Sequence, residues 1–162
     1  FDIVFIDTIH TREQVLAEMY FWIEHLKEGG YLVFHDTHSI AHSGEDIVVD
    51  EYTYGDTIGG VKVKRPDVAI TDFFGLPQSI RDKNDYEDDN IKIEHYKPSH
   101  GMTFVQIKNL DSIKEYKKNI DWEHVFETRN VLNDLHFNPE NPLFYDWQQD
   151  IPNIQNELVI TP

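Results

Sequence analysis

The sequence predicts an α/β fold, and three observations lead to that prediction. Residues 1–6 and 31–34 are short, mostly apolar runs, the composition of parallel strands that are buried on both faces. An amphipathic segment lies between them. After residue 90, two segments that alternate polar and apolar side chains flank a turn, which predicts an antiparallel hairpin. A mostly helical and irregular extension, residues 111–162, is expected to follow.

The segment between the first two runs has the features of one helix. Thr11 can cap its first turn, and Gln14 completes the pattern of a capping box. Apolar side chains recur at helical spacing and form one stripe. The stripe consists of Val15, Leu16, Met19, Tyr20, Trp22, Ile23 and Leu26. Because Gly29-Gly30 then ends the helix, we expect one strand-helix-strand unit with a right-handed crossover.

Polar residues follow both predicted strands. Asp7 and His10 come after the first strand, and Asp36, Thr37 and His38 come after the second. Ligands of open parallel sheets bind beyond the carboxyl ends of the strands, so these residues are expected to converge at a site. Two neighbouring carboxylates repel each other unless a proton or a cation lies between them, and Mg²⁺ accepts such oxygen ligands.

Each of these residues also has a simpler interpretation. Asp7 alone would more often form a turn or help to cap the helix, and His10 could stabilise the loop before Thr11. We interpret His35 as a structural histidine at the end of a buried strand. The joint pattern favours Asp7, His10 and Asp36 as site residues, with His10 either taking a proton from a substrate hydroxyl or binding a metal.

A second pair of histidines has a spacing that can bind zinc. His38 and His42 would lie on one side of a helix. Ser39 and the nearby Ser43-Gly44 argue against a helix there, so this zinc site is the less favoured interpretation.

Residues 1–38 resemble class I S-adenosylmethionine-dependent methyltransferases, in particular the group of macrocin O-methyltransferase and the cephalosporin-hydroxylase-like sugar methyltransferases. That group carries an I-D-G/S-x-H motif, an L-K-x-G-G motif and an H/E-D-T motif around a strand, a helix and a second strand. The corresponding residues here are Ile6-Asp7-Thr8-Ile9-His10, Leu26-Lys27-Glu28-Gly29-Gly30 and His35-Asp36-Thr37.

The resemblance implies strands four to seven of a Rossmann-like sheet, with the last hairpin antiparallel. It further implies that Asp7 and Asp36 hold Mg²⁺ with Thr37 or His38, and that His10 is the base. Asp7 would also contact the cofactor, S-adenosylmethionine. Thr8 departs from the usual Gly or Ser of the motif. The glycine-rich loop that binds the cofactor belongs to strands that would precede Phe1, so we expect this chain to be the C-terminal half of such a domain.

Bulk properties narrow the class of protein. The 162 residues suffice for one domain with a core, and a hydrophobic fraction of 40% fits a globular chain. The formal charge of −16 disfavours nucleic acid and anionic membrane as partners. The sequence has no cysteine, which excludes disulfides and thiolate chemistry and is compatible with the cytoplasm. We expect residues 1–110 to form the methyltransferase part and residues 111–162 the extension.

The remaining chain gives local predictions in order. Residues 47–49 and 61–63 are expected to be extended, with a loop at 52–60 that is either an acceptor lid or an ordinary insertion. Pro66 should begin a short helix that reaches Phe74. Residues 81–90, with five acids among ten residues, are predicted to be a solvated connection.

The C-terminal part is expected to pack through aromatic side chains. His95 and His100 are predicted to be turn and surface residues. Residues 111–118 and 121–135 are predicted to be helices, the second with one packing side. That side consists of Trp122, Val125, Phe126, Arg129 and Leu132. Three aromatic residues of the tail, Phe144, Tyr145 and Trp147, should anchor it on the domain or on a neighbouring subunit, so a homo-oligomer is a possible assembly.

Three hypotheses about function follow. The leading one is an O-methyltransferase, assisted by Mg²⁺, that acts on a hydroxyl of a sugar or another small polar acceptor. The second is a methyltransferase-like module that binds or assembles without catalysis. The third is a metal-dependent hydrolase that uses Asp7, His35, Asp36, His38 and His42.

Overall fold

A computed structural model describes residues 1–37, 54–58, 61–98 and 100–136 of the chain. Predictions for residues 38–53, 59–60 and 137–162 lie outside these described residues. They include the metal ligand His38, the His38/His42 pair, the extended residues 47–49 and the aromatic anchors of the tail. Within the described residues, no helix is long and apolar enough to cross a membrane.

The core of the fold is a five-stranded sheet in the order β1-β2-β7-β6-β5. Its strands are β1 Ile3–Ile6, β2 Tyr31–His35, β5 Asp85–Glu87, β6 Ile91–Tyr96 and β7 Met102–Ile107. The first two run parallel, and β7 lies antiparallel between β2 and β6. The predicted strand pair and the predicted antiparallel hairpin are therefore confirmed.

A second, two-stranded sheet pairs β3 (Tyr54–Ile58) with β4 (Val61–Lys64) in antiparallel register. The extended prediction for 61–63 is confirmed. The prediction of a loop over 52–60 is wrong for Tyr54–Ile58, because the backbone there pairs with β4 across a short connection. Two glycines separate these strands in the sequence, a local hairpin signal that the loop prediction did not use.

The helices are α1 Arg12–Trp22, α2 Pro66–Phe74, α3 Ile113–Tyr116 and α4 Trp122–His136. Short 3₁₀ segments adjoin α1 and α3, at Ile23–His25, Leu110–Ser112 and Lys117–Asn119, and a separate one lies at Gln78–Asp82. The predicted helix from Pro66 to Phe74 is confirmed, with Pro66 in its first turn. The two predicted helices after residue 110 are confirmed as well.

The start of α1 is capped as predicted, but by one half of the capping box. The hydroxyl of Thr11 accepts a hydrogen bond from the backbone N–H of Gln14 at 3.2 Å. The Gln14 side chain does not return to the cap, since its amide donates to Glu18 and its oxygen accepts from Arg129. That oxygen joins α1 to α4.

The main core lies between the sheet and helices α1, α2 and α4. Its fully buried members include Leu16, Met19, Ile23, Leu32, Phe34, Ile70, Phe73, Val105 and Val125. The packing side predicted for the second C-terminal helix is confirmed. Val125 is buried, and the Phe126 and Tyr20 rings lie 5.5 Å apart between centroids.

The first strand is less buried than its composition predicted. It lies at the edge of the sheet, and Ile3 and Phe5 are 61% and 55% exposed. Ile6, whose side chain points to the other face, is buried. Helix α1 thus covers one face of β1 only, and the prediction that this strand is buried on both faces is wrong for the described residues.

Two predictions about polar residues are also wrong. Residues 81–90 are not a solvated connection throughout, because Arg81 is buried against Asp67 and Asp85–Glu87 forms β5. His95 lies in β6, one of the two strands predicted after residue 90, but it is half-buried and not a surface residue, and its Nδ1 lies 2.8 Å from the Thr103 hydroxyl. His100 is an exposed turn residue, as predicted.

Candidate functional site at the ends of two parallel strands

The parallel pairing of β1 and β2 brings two acidic residues to the same edge of the sheet. Ile6 is the register partner of Phe34, and Asp7 and His35 are the next residues along each strand. Asp36 follows directly. This is the arrangement that the two strand ends predicted, because the carboxyl ends of parallel strands meet at one edge.

Asp7, His10 and Asp36 form a compact cluster. Nε2 of His10 lies 2.7 Å from Oδ2 of Asp36 and 3.8 Å from Oδ1 of Asp7. One ligand atom from each residue lies within 4.8 Å of the others, close enough for all three to contact one cation. The structure therefore brings together the three residues that the joint pattern favoured.

His35 also belongs to this cluster. Its Nδ1 lies 3.2 Å from Oδ1 of Asp7 and 3.2 Å from Oδ2 of Asp36. The sequence interpretation favoured a structural role for His35 and used it as a site residue only in the hydrolase hypothesis. Aligning the two strands in parallel register would have found it, since that alignment places His35 beside Asp7.

The Asp36 carboxylate has an oxygen that fits a cation. Its side chain is 17% exposed, and Oδ1 is buried without a hydrogen-bond partner among the described residues. A buried carboxylate oxygen is costly to leave unpaired. Since Oδ2 already faces His10, Oδ1 is the atom that a divalent ion would satisfy. The donor set of two carboxylates and one imidazole suits such an ion.

Asp36 has an unusual backbone. It is the one non-glycine residue with positive φ, 53°, in the described part of the chain. Aspartate tolerates the left-handed region better than most residues, yet the conformation persists only where its surroundings hold it.

Thr37 is engaged from two sides. Its hydroxyl accepts a hydrogen bond from the hydroxyl of Thr103 at 2.8 Å, and its carbonyl accepts one from Nη2 of Arg65 at 3.2 Å. The side chain is buried. The role of Thr37 as a metal ligand therefore stays a prediction, and the structure shows its hydroxyl bonded to β7.

An apolar contact anchors the loop that carries His10. Ile9 packs against the buried cluster of Val63 on β4 and Leu132 on α4, as does Leu135. These four residues are separate from the main core. Helix α4 and the small sheet therefore hold the His10 loop from outside the strand-helix-strand unit.

One comparison with known proteins found a match. Residues 1–37 match the family model of a methyltransferase domain, a stretch that contains Asp7, His10, His35 and Asp36. A search of the curated proteins found no match, and a search of the solved structures found none either. The matched stretch supports a methyltransferase domain, and the mixed α/β architecture with its five-stranded sheet is compatible with a Rossmann-like methyltransferase.

Proposed function

We propose that this protein is an S-adenosylmethionine-dependent O-methyltransferase, assisted by Mg²⁺, that methylates a hydroxyl of a sugar or another small polar acceptor. The observation that supports the proposal most is a coincidence of two findings. The stretch that matches a methyltransferase domain is the stretch that brings Asp7, His10 and Asp36 together.

The residues present fit a divalent ion. Asp7 and Asp36 would hold it, and it would lower the pKa of an acceptor hydroxyl that it binds. The oxygen ligands favour Mg²⁺. Thr37 and His38 remain candidates for the rest of its ligand shell.

His10 is the proposed base. S-adenosylmethionine would supply the methyl group, and S-adenosylhomocysteine would be the leaving group that takes the electron pair of the carbon–sulfur bond. His10 would accept the proton of the acceptor hydroxyl. Oδ2 of Asp36 lies 2.7 Å from Nε2 of His10 and would orient the ring.

The acceptor class follows from the resemblance and from charge. A formal charge of −16 disfavours an anionic acceptor, whereas a neutral polyol such as a sugar carries no such penalty. We further propose that Asp7 contacts the cofactor, because it lies at the strand end where such ligands bind in open α/β sheets.

The test is calorimetric titration of S-adenosylhomocysteine, with and without MgCl₂, into the 162-residue chain and into any longer product of its gene. The proposal predicts cofactor binding, and Mg²⁺ binding that is lost in Asp7→Ala and Asp36→Ala. Asp2→Ala is the matched control, since this exposed carboxylate pairs with Lys27 at the other end of β1.

Two results would contradict the proposal that this protein is a methyltransferase. Absence of cofactor binding at millimolar concentration, in the 162-residue chain and in every longer product, would favour a module that binds or assembles without catalysis. Stoichiometric zinc that survives dialysis would favour the metal-dependent hydrolase.

Assembly through residues 137–162 stays a prediction. The mass of the particle in solution tests it.

A further inference from the structure

The turn that carries Asp36 is held through the residue that follows it. Thr37 receives one hydrogen bond at its carbonyl from Arg65 and one at its hydroxyl from Thr103. Both partners are buried, at 7% and 0% exposure. A left-handed residue that is not glycine requires such support from its surroundings, and these two contacts supply it next to Asp36.

Arg65 is itself fixed in place. It is the residue before Pro66, where α2 begins, and its Nε lies 3.4 Å from Oδ1 of Asp67. The other oxygen of Asp67 accepts a hydrogen bond from Nε of Arg81 at 2.6 Å. The guanidinium that reaches Thr37 therefore also forms an ion pair with the first turn of a buried helix, although neither Arg65 Nε nor Asp67 Oδ1 has a hydrogen-bond partner among the described residues.

The charges of Arg65, Asp67 and Arg81 allow a neutral side chain in place of Arg65. Two guanidiniums share the Asp67 carboxylate. Loss of Arg65 leaves the closer Asp67–Arg81 pair intact, so no buried charge loses its nearest partner of opposite sign. Loss of Arg65 does remove the donor to the Thr37 carbonyl.

We infer that Arg65 is a positioning residue, which holds the Thr37 carbonyl and so keeps the Asp36 carboxylate directed at Asp7 and His10. The inference about backbone geometry stands on the contacts alone. Its consequence for metal binding rests on the proposed function. Arg65 touches none of the reacting groups, so it acts on the site through the backbone of residues 36 and 37.

The experiment compares wild type with Arg65→Met, Arg65→Lys and Arg129→Met. Arg129 is the matched control, because it also loses one positive charge and one hydrogen bond, to Gln14 on α1, without contact to Thr37. MnCl₂ is titrated into each protein, and free Mn²⁺ is measured by electron paramagnetic resonance. We expect Arg65→Met to bind Mn²⁺ about 10- to 100-fold more weakly, as is typical when a residue behind a metal ligand is lost.

Arg65→Lys keeps a hydrogen-bond donor near the Thr37 carbonyl, so it should lose less affinity for Mn²⁺ than Arg65→Met does. Arg129→Met should bind Mn²⁺ as tightly as wild type. If Arg65→Met does not fold, Arg65→Lys is compared with Arg129→Met by the same titration. Equal affinity of the Arg65 variant and the control overturns the inference while leaving the proposed metal site in place.

A second measurement needs no metal. The one-bond coupling between the α carbon and the α proton, which is smaller at positive φ than in helical or extended backbone, reports the φ of Asp36 in isotopically labelled protein. The inference predicts that Arg65→Met shifts or averages this coupling away from the value of the left-handed residue, and that Arg129→Met does not. An unchanged coupling overturns the inference whether or not the protein binds a metal, whereas a wild type that binds no Mn²⁺ contradicts only the metal-assisted function.

Discussion

Nε2 of His10 lies 2.7 Å from Oδ2 of Asp36, although the two residues follow different strands and are separated by the whole of α1. This pairing places a carboxylate directly beside the candidate base. The other oxygen of Asp36, Oδ1, is buried and has no hydrogen-bond partner among the described residues. The same carboxylate can therefore contact His10 through Oδ2 and a cation through Oδ1.

The first prediction concerns His10. His10→Gln should lower kcat for methyl transfer by about 100- to 10,000-fold, the usual contribution of a positioned general base, and leave the Kd of S-adenosylhomocysteine within a factor of about three. Both are measured on the same preparation. His25→Gln, in the 3₁₀ turn after α1, is the control. A kcat equal to that of wild type would remove His10 from the mechanism.

The second prediction concerns Asp36 and stability. Without a metal, at pH 8, Asp36→Asn should raise the free energy of unfolding by about 1 kcal/mol, because it relieves carboxylate repulsion and keeps a side chain that tolerates positive φ. With Mg²⁺ present, wild type should have the higher free energy of unfolding of the two proteins. A ligand at 100 times its Kd stabilises wild type alone by about 2.7 kcal/mol.

Thermal unfolding, measured without MgCl₂ and at MgCl₂ concentrations that rise in 10-fold steps, checks this reversal. Asp2→Asn is the control and should respond to Mg²⁺ as wild type does. If Mg²⁺ raised the Tm of Asp36→Asn as much as that of wild type, Asp36 would not hold the ion.

Local patterns in the sequence predicted much of the fold, and non-local contacts account for what they missed. The β1-α1-β2 unit, the β6–β7 hairpin and the helix at Pro66 each follow from neighbouring residues, through composition, spacing or a cap. Asp7, His10 and Asp36 could be grouped because parallel strand ends meet at one edge.

The errors about His35 and Arg81 share one physical cause. His35 joins the site through the register between two strands, and Arg81 is buried because Asp67 reaches it from another element. Neither partner is near in sequence. A stretch of acidic residues with one arginine has the composition of a solvated loop. Its burial can be recognised only when the carboxylate that pairs with the arginine is known.

The third prediction concerns the core between α1 and the sheet. Leu16 is fully buried, so Leu16→Ala should lower the free energy of unfolding by about 2–5 kcal/mol through lost burial and the cavity it leaves. Val131, on α4, is 58% exposed, and Val131→Ala should change stability by less than about 0.5 kcal/mol. Urea denaturation measures both. Similar midpoints for the two variants would contradict the packing of α1 described above.

The fourth prediction concerns Thr103 of β7. Its hydroxyl lies 2.8 Å from the Thr37 hydroxyl and 2.8 Å from Nδ1 of His95. Thr103→Val conserves shape and removes the hydroxyl, so it should cost about 1–3 kcal/mol of stability by taking the donor from the buried Thr37 hydroxyl. Thr103→Ser keeps the hydroxyl and should cost less than Thr103→Val. The reverse order in urea denaturation would show that the methyl group and not the hydrogen bond matters.

The last prediction concerns acid and the turn before β6. Burial raises the pKa of the Asp88 carboxyl, but hydrogen bonds from the N–H groups of Ile91 and Asn90 outweigh it and hold this pKa below its ordinary value near 3.8. The Tyr86 hydroxyl donates a third hydrogen bond and lowers the pKa further.

A carboxyl whose pKa is lower in the folded than in the unfolded state binds fewer protons when folded. Its contribution to stability is therefore fully present above pH 3.8 or so and is lost as the pH falls through the folded-state pKa. Asp88→Ala should cost about 1 kcal/mol at neutral pH, since two backbone donors lose their acceptor, and this deficit relative to wild type should shrink below pH 4. Urea denaturation between pH 7 and pH 2.5 measures it, with Asp89→Ala, an exposed neighbour of equal charge, as the control. A deficit that stayed constant down to pH 2.5, or an equal deficit in Asp89→Ala, would show that the Asp88 carboxylate does not hold this turn.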